Sequence, residues 1–495
     1  MAYSPSLKRG ATAGDGGVKI IDMGSDFKEL KGEAISMDTS EDGRPHMIDW
    51  SPDGTILTVS TRSGYVYNFL AKMPMIHDHY ATNVAYLSSL REISVVDTVS
   101  RLKPLSVPVH MEPTFTALGL AHVAVGMNNR IMYYRCAADD VGKVGEQDYV
   151  GTVEAVKLND KFAAVLSDQQ VTLHLIEPVK GGGPQRKTFP ERDDDGGSYK
   201  RATAIALTAQ FLIFGTDAGT VEFFYLAEWA LLSGAELRHN AAIKAIYPNG
   251  QGTRLVIVDE NGDGSLYNPV TSDFTPIPEF PSTCTNVLWD KSDKNIVMVH
   301  DGADLHTYVY APITIRGPMM MKLGPLEIDS NGGIRMEPQS FSLSGGWVPI
   351  LTHNGEITCQ TLAGQLQAVT SPTYDHNDEK ERNNKERQLL RFTQNLALLR
   401  LREAWAAALA LNKPRYWHAL ANKAMQVMDV DMAIRVYRQI GDAGMVMGLE
   451  SLKYMEDKNL LAGHIALLFM DYSMAQDLFL SSSRPLSALE MRRDL

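Results

Sequence analysis

The sequence predicts a β-propeller of about seven WD40-like blades, followed by an α-solenoid of TPR-like helical hairpins. Three observations carry that expectation. Between residues 18 and 372, strand-like runs rich in β-branched residues repeatedly meet tight turns of Asp, Asn and Gly. Most of these hairpins recur at roughly 40 to 50 residues, close to the period of a propeller blade. Past residue 388, Ala and Leu positions instead return every 29 residues within helical text.

Residues 1–17 (MAYSPSLKRGATAGDGG) have no apolar run, are not a signal peptide and are expected to be a disordered leader or the edge of a longer chain. VKIID (18–22) reads as a lone strand that could close the ring by pairing with the last blade near 364–370. The propeller is expected over 18–372. Its seven hairpins are 56–70, 122–136, 162–177, 212–226, 254–268, 295–310 and 349–362. Asp, Asn and Gly at their tips tolerate the positive φ that hairpin turns demand. The first gap is longer and holds extra β-like text at 83–97, which leaves the blade limits near 71–115 open. SPDGT (51–55) is the kind of turn that precedes an inner blade strand. One hairpin cannot bury its own apolar faces, whereas sheets set radially around an axis bury one another.

Two stretches break the pattern. GGGPQRKTFPERDDDGGSYKR (181–201) is Gly-rich and charged and is expected to be a mobile rim loop. TYDHNDEKERNNKERQ (373–388) reads as a charged linker. The solenoid is expected over 389–495. Ala404, Ala433 and Ala462 share one register, and Leu420, Leu449 and Leu478 share another, which marks three helix–turn–helix units. Ala433, Val436, Tyr437 and Ile440 fall on one helical face. Gly441 reads as a C-terminal stop, and Ser473 with Gln476 as a capping box. The last residues, PLSALEMRRDL, are still helical text without a polar cap, so a truncated solenoid is expected.

Composition excludes several classes. A net charge of −12 repels phosphate backbones, so no nucleic-acid partner is expected. Cys136, Cys284 and Cys359 are too few and too scattered for a disulfide framework or a zinc site, which suits a reducing compartment. No apolar run is long enough for a transmembrane segment.

Local motifs offer little chemistry. In DENGDG (259–264), Asp259, Asn261, Asp263 and Gly264 match the first half of an EF-hand loop, but the twelfth position is Val270 rather than Glu. A polar hairpin tip is the expected reading. His77 and His79 lack a third metal ligand and read as exposed loop histidines. GGG at 181–183 lacks the Lys-Ser/Thr of a P-loop, and Asp193, Asp194 and Asp195 read as a solvated acidic tip. Met425, Met428, Met432, Met445 and Met447 could form an adaptable docking face; filling between stacked helices is the favoured reading. Residues 400–411 (RLREAWAAALAL) read as a solenoid helix rather than an interfacial membrane helix. No catalytic, metal or cofactor site is expected, and no cofactor.

Several phrases carry a resemblance: AVGMNNR (124–130), QVTLHLIE (170–177), GTRLVIVDE (252–260), NGEITCQT (354–361), AIRVYRQIG (433–441), NLLAGHIALLF (459–469) and SRPLSALEMRRDL (483–495). They resemble the intraflagellar transport protein 144, or WD repeat-containing protein 19, family from about residue 18 to the last residue. The resemblance implies the second of two propellers and the root of a long helical tail. It further implies a non-enzymatic scaffold of intraflagellar transport complex A, acting in retrograde transport and receptor entry. The implied partners are other complex A subunits, complex B and dynein within trains and, indirectly, a tubby-like adaptor with its membrane-protein cargo. The implied location is the cilium or flagellum, the basal body and the cytoplasm. By the same resemblance, a first propeller and most of the tail are expected to lie outside this chain. A coatomer-like vesicle-coat subunit has the same architecture and is the alternative, since fold alone does not fix function.

Overall fold

A computed structural model describes the chain except residues 15–16, 24–26, 31–33, 38–42, 101–102, 138–139, 178–185, 191–199, 233–236, 344–345, 363, 375–384 and 495. Seven antiparallel sheets form the ring. Blade 1 starts at His77–Tyr80, blade 2 at Phe115–Leu118, blade 3 at Val153–Leu158 and blade 4 at Ala202–Leu207. Blades 5, 6 and 7 start at Ile243–Pro248, Asn286–Trp289 and Val348–His353. Each first strand touches the first strand of the next blade, and Val348–His353 returns to His77–Tyr80, so these strands circle the central channel. Positive φ at Asn128, Asp168, Gly219, Gly262, Gly302 and Asn354 turns the hairpin tips, as their residue types suggested.

The radial logic shows in the cores. Val123, Val125 and Ile93 fill the space between blades 1 and 2, and Tyr133, Val156 and Val165 that between blades 2 and 3. Phe189, Phe214 and Phe224 join blades 3 and 4, Val221 and Ile257 join blades 4 and 5, and Val256 and Tyr308 join blades 5 and 6. Each apolar face is buried by its neighbour, as hairpins too small to fold alone require. The first strands of blades 3, 4, 5 and 7 carry a register shift near their start. Such bulges bend a strand and strengthen its twist.

Several expectations need correction. The leader 1–17 and the lone strand 18–22 are instead strands Ala2–Ser4, Arg9–Gly14 and Gly17–Asp22, completed by Lys28–Glu29 in one sheet. A second sheet, Pro45–Trp50, Ile56–Thr61 and Val66–Leu70, packs on it through Ala11, Val18, Ile48 and Val59. The ring closes without these two sheets. The hairpin at 56–70 is therefore not a ring blade, and the extra text at 83–97 supplies the middle of blade 1. Gly17–Asp22 pairs within its own sheet, and Leu366–Thr370 pairs with Glu356–Gln360. Closure comes from side-by-side packing of Ile350 and Leu351 on Val84, with His77 Nδ1 2.8 Å from Gln360 Oε1. SPDGT joins the first two strands of the second sheet, where Asp53 accepts from Ser51 Oγ at 2.6 Å and from the Thr55 amide at 3.1 Å.

Within the expected rim loop 181–201, residues 181–185 and 191–199 lie outside the described residues. Arg186–Phe189 is the outer strand of blade 3, because Phe189 is buried against Phe214 and Phe224 at 5.3 and 4.8 Å. Aromatic burial outweighs the charged flanks that suggested a loop.

Among the described residues eight helices follow: α1 Lys385–Ala397, α2 Leu401–Leu411, α3 Pro414–Gln426, α4 Val430–Ile440, α5 Ala443–Leu452, α6 Lys458–Leu468, α7 Tyr472–Leu480 and α8 Leu486–Asp494. Helix α1 takes in the end of the expected linker, and Tyr374 at its start is buried; 375–384 lie outside the described residues. Ala404, Ala433 and Ala462 are buried on α2, α4 and α6, where a small side chain lets helices approach closely. Leu420 and Leu449 are buried on α3 and α5, and Leu478 packs on the same core from α7. Gly441 ends α4 at φ 88°. The cap of α7 is Asp471, which accepts from the Met474 amide, so the expected Ser473 box lies inside the helix. Asp429, Asp442 and Asp457 cap α4, α5 and α6 likewise.

Candidate interaction sites

Three places gather polar or unpaired groups: the channel, the joint between ring and solenoid, and a cavity beside that joint. The channel holds the two histidines. His77, Asp78 and His79 lie on the first strand of blade 1, so they are channel residues and not loop residues. Asp78 ties three blades together. It accepts from the Leu118 amide of blade 2 at 3.0 Å and from Lys157 Nζ of blade 3 at 3.0 Å. Burial pushes the Asp78 carboxyl up, but the Lys157 charge and the Leu118 amide outweigh that and hold it below its usual range. Burial, with the Lys291 ammonium near it, pushes His79 down to about 3, so its ring is neutral at physiological pH. Lys291 is itself held below the usual lysine range by burial. These groups brace the first strands. Among the described residues no three His, Cys, Asp or Glu side chains converge as a metal site would need.

The EF-hand-like segment is the hairpin between Leu255–Asp259 and Gly264–Asn268. Asp259 is buried, accepts from the Asp263 amide at 2.8 Å and lies 3.6 Å from His239 Nδ1. Its carboxylate is thus committed to the turn. Residues 181–183 and 193–195 lie outside the described residues.

The joint between ring and solenoid centres on Asp290 at the end of the first strand of blade 6. Its carboxylate accepts from Tyr374 Oη at 2.6 Å, Ser292 N and Oγ at 2.7 and 2.6 Å, Asn354 N at 3.1 Å and Gly355 N at 3.2 Å. Burial pushes its pKa up, but the hydrogen bonds from Ser292, Tyr374 and Asn354 prevail and leave it lowered. The Arg400 guanidinium lies over the Tyr374 ring at 5.1 Å and donates to Asn354 Oδ1 at 3.2 Å. The hairpin Leu326–Ile328 and Ile334–Met336 leans on α1 and α3. A Cβ at Gly332, φ 82°, would lie 2.5 Å from that of His418, so only glycine allows this approach. One apolar core runs from Leu288 and Met298 of blade 6 through Tyr374 into Phe392, Trp417 and Leu420.

Beside the joint, blade 6 and helices α3, α6 and α7 enclose a cavity of about 320 Å³. Ile315, Met319, Met321, Phe469 and Met474 supply apolar wall, and Lys423 lines it from α3. Sequence reasoning passed over Lys423, although it falls on the face of Tyr416, Leu420 and Val427, where helical spacing expects an apolar residue. Of the five methionines singled out, Met425 and Met432 are buried, Met445 and Met428, the latter in the turn between α3 and α4, pack against the core, and Met447 is 73% exposed. Core filling accounts for four of them.

The family described as WDR19 second beta-propeller matches residues 84–374. WD repeat-containing protein 19 of Homo sapiens is 38% identical over 501 residues, covering 100% of this chain and 36% of that protein. WD repeat-containing protein dyf-2 of Caenorhabditis elegans is 28% identical over 526 residues, again covering 100% of this chain and 36% of the relative. A solved structure, the Myceliophteria_thermophila Cps50 (Swd1) β-propeller domain, aligns at TM-score 0.43 and 11% identity over 61% of this chain and 98% of its own. The chain thus spans about a third of the length of the curated relatives it matches. The matched segment begins inside blade 1 and ends at Tyr374, the residue that anchors the ring to the helices. A match over more than half of the chain, coincident with the seven-bladed ring, places this chain in the WDR19 family.

Proposed function

We propose that the chain is a structural scaffold segment of intraflagellar transport complex A, without catalytic, metal or cofactor sites of its own. In this reading it works in cilia or flagella, their basal bodies and the cytoplasm, supporting retrograde transport and the entry of membrane receptors. Its partners are other complex A subunits, with complex B and dynein in trains, and a tubby-like adaptor with its cargo indirectly. The observation that supports this best is the shared core of blade 6, Tyr374 and α1–α4, which makes ring and solenoid one stiff elbow. A stiff elbow holds partner surfaces at fixed angles, which suits an assembly subunit.

The test is removal of the protein from ciliated cells, followed by rescue with the full-length gene. The expected result is short cilia or cargo stalled at ciliary tips, with loss of receptor entry. Normal cilia with normal receptor entry contradict the reading. Co-purification separates the remaining choice: complex A subunits support it, and coatomer subunits replace it with a vesicle-coat role.

A further inference from the structure

The cavity between blade 6 and the solenoid is lined by a lysine that has no ion-pair partner among the described residues. Lys423 is only 7% exposed, yet among the described residues its ammonium has no hydrogen-bond or ion-pair partner. Burial alone depresses its pKa, with no neighbouring charge opposing it. The side chain as a whole is buried while its ammonium is not sealed off from the cavity, an arrangement that costs the charge solvation and leaves it open to a partner. Arg316 stands exposed at the rim. Asp471 lines the same cavity, but one carboxylate oxygen is held by the Met474 amide at 3.1 Å as the cap of α7. The walls therefore carry two positive groups and one negative, a net surplus of one.

We infer that this cavity is a docking pocket for a peptide of a partner protein, in which a Glu or Asp side chain flanked by aliphatic residues pairs with Lys423. Three features select that occupant. The surplus is neutralised by a monoanion, whereas a phosphate dianion would overfill it and meet Asp471. The walls of Met319, Met321, Met474 and Phe469 are adaptable and apolar, as a short aliphatic segment requires. The volume sits at the lower end of the ~300–1,000 Å³ range of ligand pockets, room for a few side chains and not for a folded surface. The pocket opens where ring and solenoid meet, so a peptide seated there touches both parts of the elbow. The inference deepens the scaffold reading by naming what one surface recognises. Its test uses the purified chain alone, so its failure leaves the cellular test untouched.

Fluorescence anisotropy with a labelled nine-residue peptide, a central Glu between Leu and Met residues, supplies that test. Its comparators are the same peptide with Gln, the same peptide with phosphoserine, and decanoate as competitor. The Glu peptide is expected to bind at least about tenfold more tightly than the Gln peptide, with Lys423→Met removing the difference. Met319→Trp, which fills the cavity from its blade wall, is expected to abolish binding of both. Lysine Nζ and ε-CH₂ NMR signals should report a rise in the Lys423 pKa on binding of the Glu peptide. Equal affinity for Glu and Gln, discrimination that survives Lys423→Met, or no binding up to about 1 mM overturns the proposal. Tightest binding by decanoate or by the phosphopeptide overturns it in favour of a lipid or a phosphate ligand.

Discussion

At the scale of single residues, the buried polar groups decide the energetics. Lys423 without a ligand destabilises the fold at neutral pH. Its folded-state pKa lies below that of the unfolded chain, so between those values the unfolded state binds more protons and stability rises with pH. Lys423→Met should therefore stabilise the solenoid by about 1–3 kcal/mol at neutral pH and flatten the rise in the alkaline range. Urea midpoints at several pH values measure this; equal midpoints for both proteins would show the ammonium to be hydrated. Tyr149 gives the converse case. Its hydroxyl lies 2.7 Å from Tyr133 Oη and 2.5 Å from His174 Nε2 inside the core between blades 2 and 3. Burial holds His174 below its usual pKa, so the neutral ring needs that partner. Tyr149→Phe removes both of these hydrogen bonds, leaves Tyr133 Oη and His174 Nε2 only the longer contact of 3.3 Å with each other, and should cost about 1–3 kcal/mol, read from the same denaturation curve.

At the scale of elements, the joint at Asp290 predicts acid sensitivity. Its carboxyl has a lower pKa folded than unfolded, so its contribution is complete above the unfolded value. That contribution is lost as pH falls through the folded value. Acidification below about 4 should loosen α1 and the Tyr374 anchor before the central strands of the blades. Tyr374→Phe should cost about 1.5–3 kcal/mol at neutral pH and shift the acid transition upward, followed by exchange of α1 amides. Elements also show what was legible in the sequence. Hairpin tips and the Ala register could be read because turn geometry and close helix approach each demand particular residue types. Asp471 was missed because Ser473 and Gln476 match a capping box by spacing, while the competing cap depends on where the chain enters α7. Residues 2–14 were missed as strands because Gly10, Ala11 and Ala13 have weak β preference, and Ala11 is buried in a core that the second sheet completes. His77 and His79 looked like loop residues because a channel-lining strand alternates polar groups that other blades satisfy. The cavity at Lys423 joins residues more than a hundred positions apart, so only its oddity on an apolar face could have pointed to it.

At the scale of the whole molecule, the ring is not equally strong all the way round. Ring membership was the one global feature that local patterns could not give, since the hairpins at 56–70 and 83–97 look alike until closure selects one. That closure, between blades 7 and 1, has the smallest core: Val84, Ile350 and Leu351, with Tyr86 and Leu366 partly buried against it. The seams between blades 1 and 2, 2 and 3, and 3 and 4 bury about ten such side chains each. No strand is shared across the closing seam among the described residues; His77 and Gln360 supply its polar link, and the Gln360 Nε2 donor is left without a partner. With burial stabilising by about 1.5–3 kcal/mol per side chain, this seam should open first while every other seam still holds. Blade 7 stays tied to the helices through Ile357 and Cys359, and blade 1 stays tied to blade 2. Opening is therefore a local parting of two blades, after which the strands uncovered at the seam fray more readily than those of the other blades. Hydrogen exchange should find amides of Asn83–Ser89 and Val348–His353 less protected than those of Leu255–Asp259 in blade 5. Ile350→Ala, at a cost of about 2–5 kcal/mol, should widen that gap and leave blades 3 to 5 unchanged. Uniform loss of protection around the ring would instead mean that the seven blades open as one cooperative unit, with closure as strong as any other seam.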